Sequence, residues 1–184
     1  IKKKKKRGLE KTPKHGYHIN TILDDFPKAK IIIITRHCNA VSSSIKERTG
    51  YFIDGIDRWS KDNIEWYKNE NKSKCLIIQY ENLIRNTVDT FESICNYLEE
   101  PYEDLSNTKH NIENIDISPI PEGELINGKK HTNLRCWQIN QPLYDNIKES
   151  RSKLTKDDKY ILKNYIFNNY TVDDILNLLH YNEN

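Results

Sequence analysis

The sequence predicts an α/β fold, a parallel sheet flanked by helices, and two observations carry that prediction. The stretches "AKIIIITR" and "KCLIIQYENL" are apolar at consecutive positions, as strands buried on both faces are. Each is followed by a segment with helical spacing, and the order strand, helix, strand, helix belongs to parallel crossovers.

Along the chain, residues 17–25 predict a short helix, and "FPKAK" marks a turn into the first strand, whose run Ile31 to Ile34 predicts a central strand. Residues 39–48 predict the helix that follows it. Residues 57–70 carry Trp59, Asn63 and Trp66 at helical spacing with Ile56 and Tyr67 beside them, which predicts a second helix. The second strand closes at Tyr80. Residues 87–99 then place Val88, Phe91, Ile94, Cys95 and Leu98 on one helical face. From 103 to 140 no period persists, and Pro, Gly and Asn predict a long loop region. Two closing helices are each opened by a Thr with an Asp three residues on, Thr155 with Asp158 and Thr171 with Asp174.

The 184 residues suit one domain, 1–184, large enough to bury a core. Twenty-nine Lys and Arg against 27 Asp and Glu leave a net charge of +2, so no global field calls for nucleic acid or a membrane surface and any anion site must be local. Cys38, Cys75, Cys95 and Cys136 are scattered without a CxxC pair, which predicts reduced thiols and no metal site. No apolar run is long enough for a membrane span and no signal peptide is visible. The start inside "IKKKKKR", with no Met, leads us to expect a missing N-terminus, where a membrane anchor would have to lie.

In a parallel α/β sheet, ligands bind beyond the carboxyl ends of the strands. Arg36 stands at that end of the first strand, a helix begins close behind it, and Ser44 follows eight residues on. An arginine fork, a hydroxyl and helix N-terminal amides make a phosphate site. The plainer alternative is that Arg36 pairs with a carboxylate and "SSS" is a polar helix face.

At these residues the sequence resembles the sulfotransferase superfamily, whose signature is a buried strand ending in Arg with a Ser eight residues on. "TRHCNAVSSSIKER" matches it, with His37-Cys38 where the family usually has Asp-Pro. "EKTPKHGYHINTILDDFPKAK" is similar to the segment before that strand. "RWSKDNIEWYK" and "CLIIQYENLIRNTVDTFESICNYLEEPY" are similar to the segments after it, so the likeness runs from residue 10 to 102. The resemblance implies a P-loop-like sulfotransferase fold and sulfuryl transfer from 3′-phosphoadenosine 5′-phosphosulfate (PAPS) to a hydroxyl or amine of a carbohydrate, protein or small-molecule acceptor. It implies that Arg36 and Ser44 grip the 3′-phosphate.

Such a transfer needs a base for the acceptor proton and a cation for the charge growing on the leaving phosphate. By resemblance, Glu10 corresponds to the carboxylate base of the glycosaminoglycan branch and Lys11 to a lysine near the sulfuryl group. His15 is the second base candidate, since cytosolic members use a histidine nearby; the reading favours Glu10. As plain residues, Glu10 and Lys11 would make an exposed ion pair. Tyr80 would line the nucleotide site and Trp59 would lie near adenine, each with a core aromatic as the alternative. In "INGKKHTNLRCWQIN", Lys130, Asn133 and Arg135 are candidates for phosphate contacts, by likeness to a loop that covers the nucleotide; a solvated basic loop is the alternative.

The resemblance has one gap. The family's Gly-Thr-Thr-like loop around the 5′-phosphosulfate has no counterpart here, and we therefore expect a truncated domain. A kinase reading shares the fold but lacks the Walker lysine and a Mg²⁺ pattern. The competing class is a non-catalytic nucleotide- or nucleic-acid-binding module built on the tract "KKKKKR" at residues 2–7; the near-neutral charge argues against nucleic acid. Expected partners are the nucleotide donor and an unidentified acceptor, with no metal. The sequence does not choose between cytoplasm and Golgi lumen.

Overall fold

The computed structural model describes residues 8–69, 71–102, 125–126, 129–130 and 147–181. The chain enters through a 3-10 helix over Pro13–His18, with Pro13 at its first position, where the missing N–H costs nothing. This leads into α1 (Ile19–Asp25), β1 (Ile31–Thr35), α2 (Cys38–Thr49), α3 (Phe52–Tyr67) and β2 (Cys75–Gln79). The two strands pair in parallel and in register, from Ile31 opposite Cys75 to Thr35 opposite Gln79. The α/β arrangement expected from the two apolar runs is therefore present. The carboxyl ends of both strands finish at one level, where Arg36 and Tyr80 emerge.

After β2 come α4 (Tyr80–Arg85) and α5 (Thr87–Leu98). A small antiparallel pair joins β3 (Leu125–Ile126) to β4 (Lys129–Lys130). The chain closes with α6 (Ile147–Ser152), α7 (Lys156–Asn164), the hairpin β5 (Ile166–Phe167) and β6 (Tyr170–Thr171), and α8 (Val172–Leu178). Both expected capping boxes form, so Thr155 and Thr171 each exchange hydrogen bonds with the Asp three residues on.

Four expectations are corrected. The helix read as 57–70 begins five residues earlier, at Phe52, because Gly55 is a packing contact and not a break: a Cβ there would lie 2.4 Å from Ser42 Cα. Tyr80 does not end β2 but opens α4. The run Ile31–Ile34 is not buried on both faces; among the described residues β1 pairs only with β2, and Ile34 is 59% exposed. Within 103–140, taken as loop, residues 125–130 contain the β3–β4 pair. The apolar face of α5 is present, but it is half-buried, with Val88 exposed.

Helix α3 is the spine of the molecule. Phe52, Ile56, Trp59, Ile64 and Trp66 from α3 form the core with Ile19, Cys38, Val172, Ile175 and Leu179. The entry segment is tied to the same helix, since Gly16 faces Trp66, whose Cβ would lie 3.6 Å from a Cβ added at the glycine, and the Tyr17 hydroxyl bonds Asp62. At the opposite end of the sheet, the Tyr97 hydroxyl receives the Ile31 N–H at 2.9 Å and lies 2.8 Å from the Lys74 carbonyl, which fixes the starts of β1 and β2 together. Among the described residues no helix is long and apolar enough to cross a membrane.

Candidate functional site

The site is built where the two parallel strands end. Arg36 follows β1 directly, and its guanidinium lies over the Tyr80 ring at 4.5 Å from the centroid. The charge thus rests against an aromatic ring, and a guanidinium is the side chain whose planar fork of N–H groups matches a phosphate or carboxylate. The Arg36 carbonyl accepts the Trp59 indole N–H at 2.8 Å. Trp59 itself is buried, at 3% exposure. The ring expected near adenine thus lies in the core, and its visible contact holds the backbone of the arginine loop.

His37 stands where the resembling family has Asp, and it does the capping work an Asp would do. Its Nδ1 accepts the Asn39 N–H at 3.2 Å at the start of α2. The amides of Ala40 and Val41 both turn to the His37 carbonyl, at 3.1 and 3.2 Å. These first-turn amides are therefore engaged locally, so what α2 offers an anion here is its dipole more than a ring of donors. Ser44 is exposed on α2. It lies about 10 Å along the axis from His37, and close to the same helix face, by the rise and turn of an α-helix.

Against the His37 backbone lies a buried carboxylate that sequence reasoning missed. Glu81, 3% exposed, accepts the His37 backbone N–H at 3.0 Å on one oxygen and the Tyr181 hydroxyl at 2.7 Å on the other. The Tyr181 hydroxyl is also 3.4 Å from Thr35 Oγ1, and its ring meets His37 edge-on at 5.4 Å. Burial, joined by the Glu81 carboxylate, raises the Tyr181 phenol far above its ordinary value, against the opposing pull of Thr35 and the Arg36 charge. Tyr181 is thus a proton donor at every ordinary pH. The only sequence signal for Glu81 is its place in "QYENL", directly after Tyr80.

The entry segment forms a second group. Glu10 accepts the Thr12 hydroxyl at 2.7 Å on one oxygen and meets His15 Nδ1 at 2.7 Å on the other. The two rival base candidates are therefore partners. Both are largely exposed, as is Lys11. The groups sit at different levels of α3: Trp59 holds Arg36, whereas Gly16, beside His15, faces Trp66, about 10 Å along the axis at 1.5 Å per residue. The structure thus brings Arg36, Trp59 and Tyr80 together, pairs Glu10 with His15, and leaves Ser44 farther along α2. Asn133 and Arg135, the side chain of Lys130, and the tract 2–7 lie outside the described residues.

Cys38, Cys75 and Cys95 are free thiols. Burial pushes Cys38 up to about 12, against the Ser42 hydrogen bond, which makes it an inert core thiol. Cys136 lies outside the described residues. Among the described residues no three His, Cys, Asp or Glu side chains group as a metal site would.

The model of the sulfotransferase family matches residues 1–104. No curated protein and no solved structure matches the chain. The matched span carries Glu10, Lys11, His15, Arg36, Ser44, Trp59 and Tyr80, whereas Tyr181 lies beyond it. Because that span covers more than half of the 184 residues and contains the strand-end arginine with both halves of the parallel pair, this chain belongs to the sulfotransferase family.

Proposed function

We propose that the chain moves a sulfuryl group from PAPS to a hydroxyl or amine of an acceptor, with Arg36 holding the 3′-phosphate of the nucleotide. The observation that carries this is the Arg36 guanidinium, stacked on Tyr80 at the carboxyl end of a parallel strand and anchored through its carbonyl by Trp59. Ser44, on the exposed side of α2, would supply a hydroxyl, and the α2 dipole favours the same negative charge. Tyr80 supports the guanidinium and offers an aromatic edge toward the nucleotide. Lys130, Asn133 and Arg135 remain proposals for phosphate contacts.

For the transfer, the donor supplies a sulfuryl group on a good leaving phosphate, and the chain has to remove the acceptor proton. The sequence favours Glu10 as base, but both its oxygens are taken by donors within the entry segment, Thr12 and His15. With Nδ1 donating to Glu10, a neutral His15 imidazole would keep Nε2 as its acceptor. We therefore assign proton removal to His15 and its orientation to Glu10, the arrangement in which a carboxylate fixes the tautomer of a catalytic imidazole. The neighbouring Lys11 would meet the negative charge growing on the departing phosphate. The Glu10–His15 pair and the Arg36–Tyr80 pair lie at different levels of α3, which supports reading them as opposite ends of a nucleotide-sized site.

The test is an acceptor-dependent assay, in which release of adenosine 3′,5′-bisphosphate from PAPS is followed with panels of hydroxyl- and amine-bearing carbohydrates, peptides and small molecules. Release stimulated by one acceptor class, with the sulfate recovered on that acceptor, is expected. Donor binding without sulfate transfer to any class would contradict the enzymatic reading and favour a nucleotide-binding module.

A further inference from the structure

The Glu10–His15 pair is closed on itself. Its hydrogen bonds, from His15 Nδ1 and the Thr12 hydroxyl to Glu10 and from the His15 N–H to the Thr12 carbonyl, all stay within residues 10–15. Every residue from Gly8 to His15 is exposed. Where the pair stands on the molecule is therefore decided just behind it. Ile19, at 0% exposure, enters the core, Gly16 faces Trp66, and the Tyr17 hydroxyl donates to Asp62 Oδ1. Among the described residues, this last contact is the one side-chain hydrogen bond that leaves residues 8–18 for another element. Asp62 lies on α3 between Trp59 and Trp66, about 4.5 Å past the first and 6 Å before the second along the axis. Its other oxygen is 3.5 Å from Arg58 Nε, so the acceptor is braced from its own helix.

We infer that Tyr17 is a positioning residue for proton removal: its hydroxyl, bound to Asp62, sets where the exposed Glu10–His15 pair stands along α3. This inference rests on the proposal that His15 takes the acceptor proton. A base must come within hydrogen-bond reach of that proton, and a misplacement of about 1 Å costs up to about 10²-fold in rate. An exposed imidazole paired only with its own segment cannot hold such a tolerance by itself. Tyr17 follows it by two residues in the same 3-10 helix, so a phenol fixed to α3 also fixes the level of the imidazole. Burial, joined by the Asp62 hydrogen bond and charge, raises the Tyr17 phenol above its ordinary value against the pull of Arg58, and the hydroxyl stays a donor at any working pH. Ile19 remains seated in the core whether or not the hydroxyl is there. Loss of the hydroxyl should therefore free the pair without unfolding the domain.

The test joins turnover to amide hydrogen exchange on the full chain. Turnover is the release of adenosine 3′,5′-bisphosphate from PAPS, with the panel of carbohydrates, peptides and small molecules as acceptors. Tyr17→Phe keeps the ring and removes the hydroxyl, so kcat should fall roughly ten- to hundredfold with KM for PAPS unchanged. Amides of residues 14–18 should exchange roughly tenfold faster, while those of α2 and α3 keep their protection. In the His15→Ala background the same substitution should cost no further turnover, an outcome that a merely structural role would not give. Near-normal kcat in Tyr17→Phe, unchanged exchange at 14–18, protection lost across α3 as well, or a full-sized loss in the His15→Ala background overturns the inference. Should Tyr17→Phe fail to fold, Asp62→Ala, at a side chain 46% exposed, carries the same test from the acceptor's side with the same outcomes. Turnover that survives His15→Ala, or a wild type that transfers sulfate to no acceptor, would instead remove the base reading on which the inference depends.

Discussion

The indole N–H of Trp59 and the backbone carbonyl of Arg36 are joined by a 2.8 Å hydrogen bond, which ties the loop after β1 to the middle of the central helix α3. Trp59→Phe keeps most of the buried ring and leaves that carbonyl without its donor. The expected loss of stability is about 1–3 kcal/mol, read as a lowered denaturant midpoint. Nucleotide affinity should fall as well, since the arginine loop loses its anchor. A variant that binds nucleotide as wild type does would show that the anchor is dispensable for the site.

Glu10 and His15 act as a unit in this account, so their substitutions should not add. Glu10→Gln and His15→Ala should each lower turnover, with the His15 variant falling by about 10²–10⁴-fold. The double variant should be no worse than His15→Ala alone. Steady-state kinetics on the two singles and the double decide the matter. Fully additive losses would mean that the two groups work independently, and near-normal turnover in His15→Ala would return the base to Glu10.

At the contact of α2 with α3, Gly55→Ala should reverse the usual sign of a helical substitution. In an open helix the change would stabilise by about 1 kcal/mol. Here the new Cβ would stand 2.4 Å from Ser42 Cα, and backbone cannot swing aside as a side chain can. A loss of roughly 1–3 kcal/mol is expected in thermal unfolding, because α2 and α3 must part. A raised melting temperature would show that the helices yield at no cost.

The pair Lys46 and Asp158, 2.7 Å apart, links α2 to the capping box of α7. Burial raises the Asp158 carboxyl, but the Lys46 and Thr155 hydrogen bonds outweigh it and hold the group below its ordinary 3.8. A carboxyl depressed in the folded state binds fewer protons there than in the unfolded chain. Its contribution is therefore complete above about pH 3.8 and is lost as pH falls through the lower folded value. Asp158→Asn should cost about 1–3 kcal/mol near neutral pH, toward the lower end because Lys46 is partly exposed. The difference from wild type should shrink in acid. A difference that stays constant from neutral pH to acid would remove the charge from the explanation.

Much of the strand-end group around Arg36 was legible because it is local. Four consecutive isoleucines with Arg36 behind them mark a strand and its carboxyl end, and Thr155 and Thr171 mark their helices through residues three positions away. What stayed hidden depends on contacts distant in sequence. The start of α3 lies ahead of the Trp59, Asn63 and Trp66 spacing that marks the helix, and the packing of Gly55 against Ser42 inside it is a contact between two helices. Ile34 reads as core from its neighbours, but burial depends on what flanks the strand. Glu81 and Tyr181 meet across 100 residues, and no periodicity announces a buried carboxylate with a partner so far along the chain. Glu10 and His15 were singled out separately; their pairing follows from the turn at Pro13, where the His15 N–H folds back to the Thr12 carbonyl at 3.0 Å.

The central claim is that Arg36 reads a 3′-phosphate, and calorimetric binding of adenosine 3′,5′-bisphosphate beside 5′-AMP tests it most directly. Charge-assisted hydrogen bonds to phosphate contribute about 1.5–3 kcal/mol, so wild type should prefer the bisphosphate by roughly tenfold or more. Arg36→Ala should erase that preference while 5′-AMP binding persists. Arg36→Lys, which keeps the charge and loses the planar fork over Tyr80, should recover only part of it. Equal affinity of the wild-type chain for the two nucleotides, or an undiminished preference in Arg36→Ala, would contradict the account.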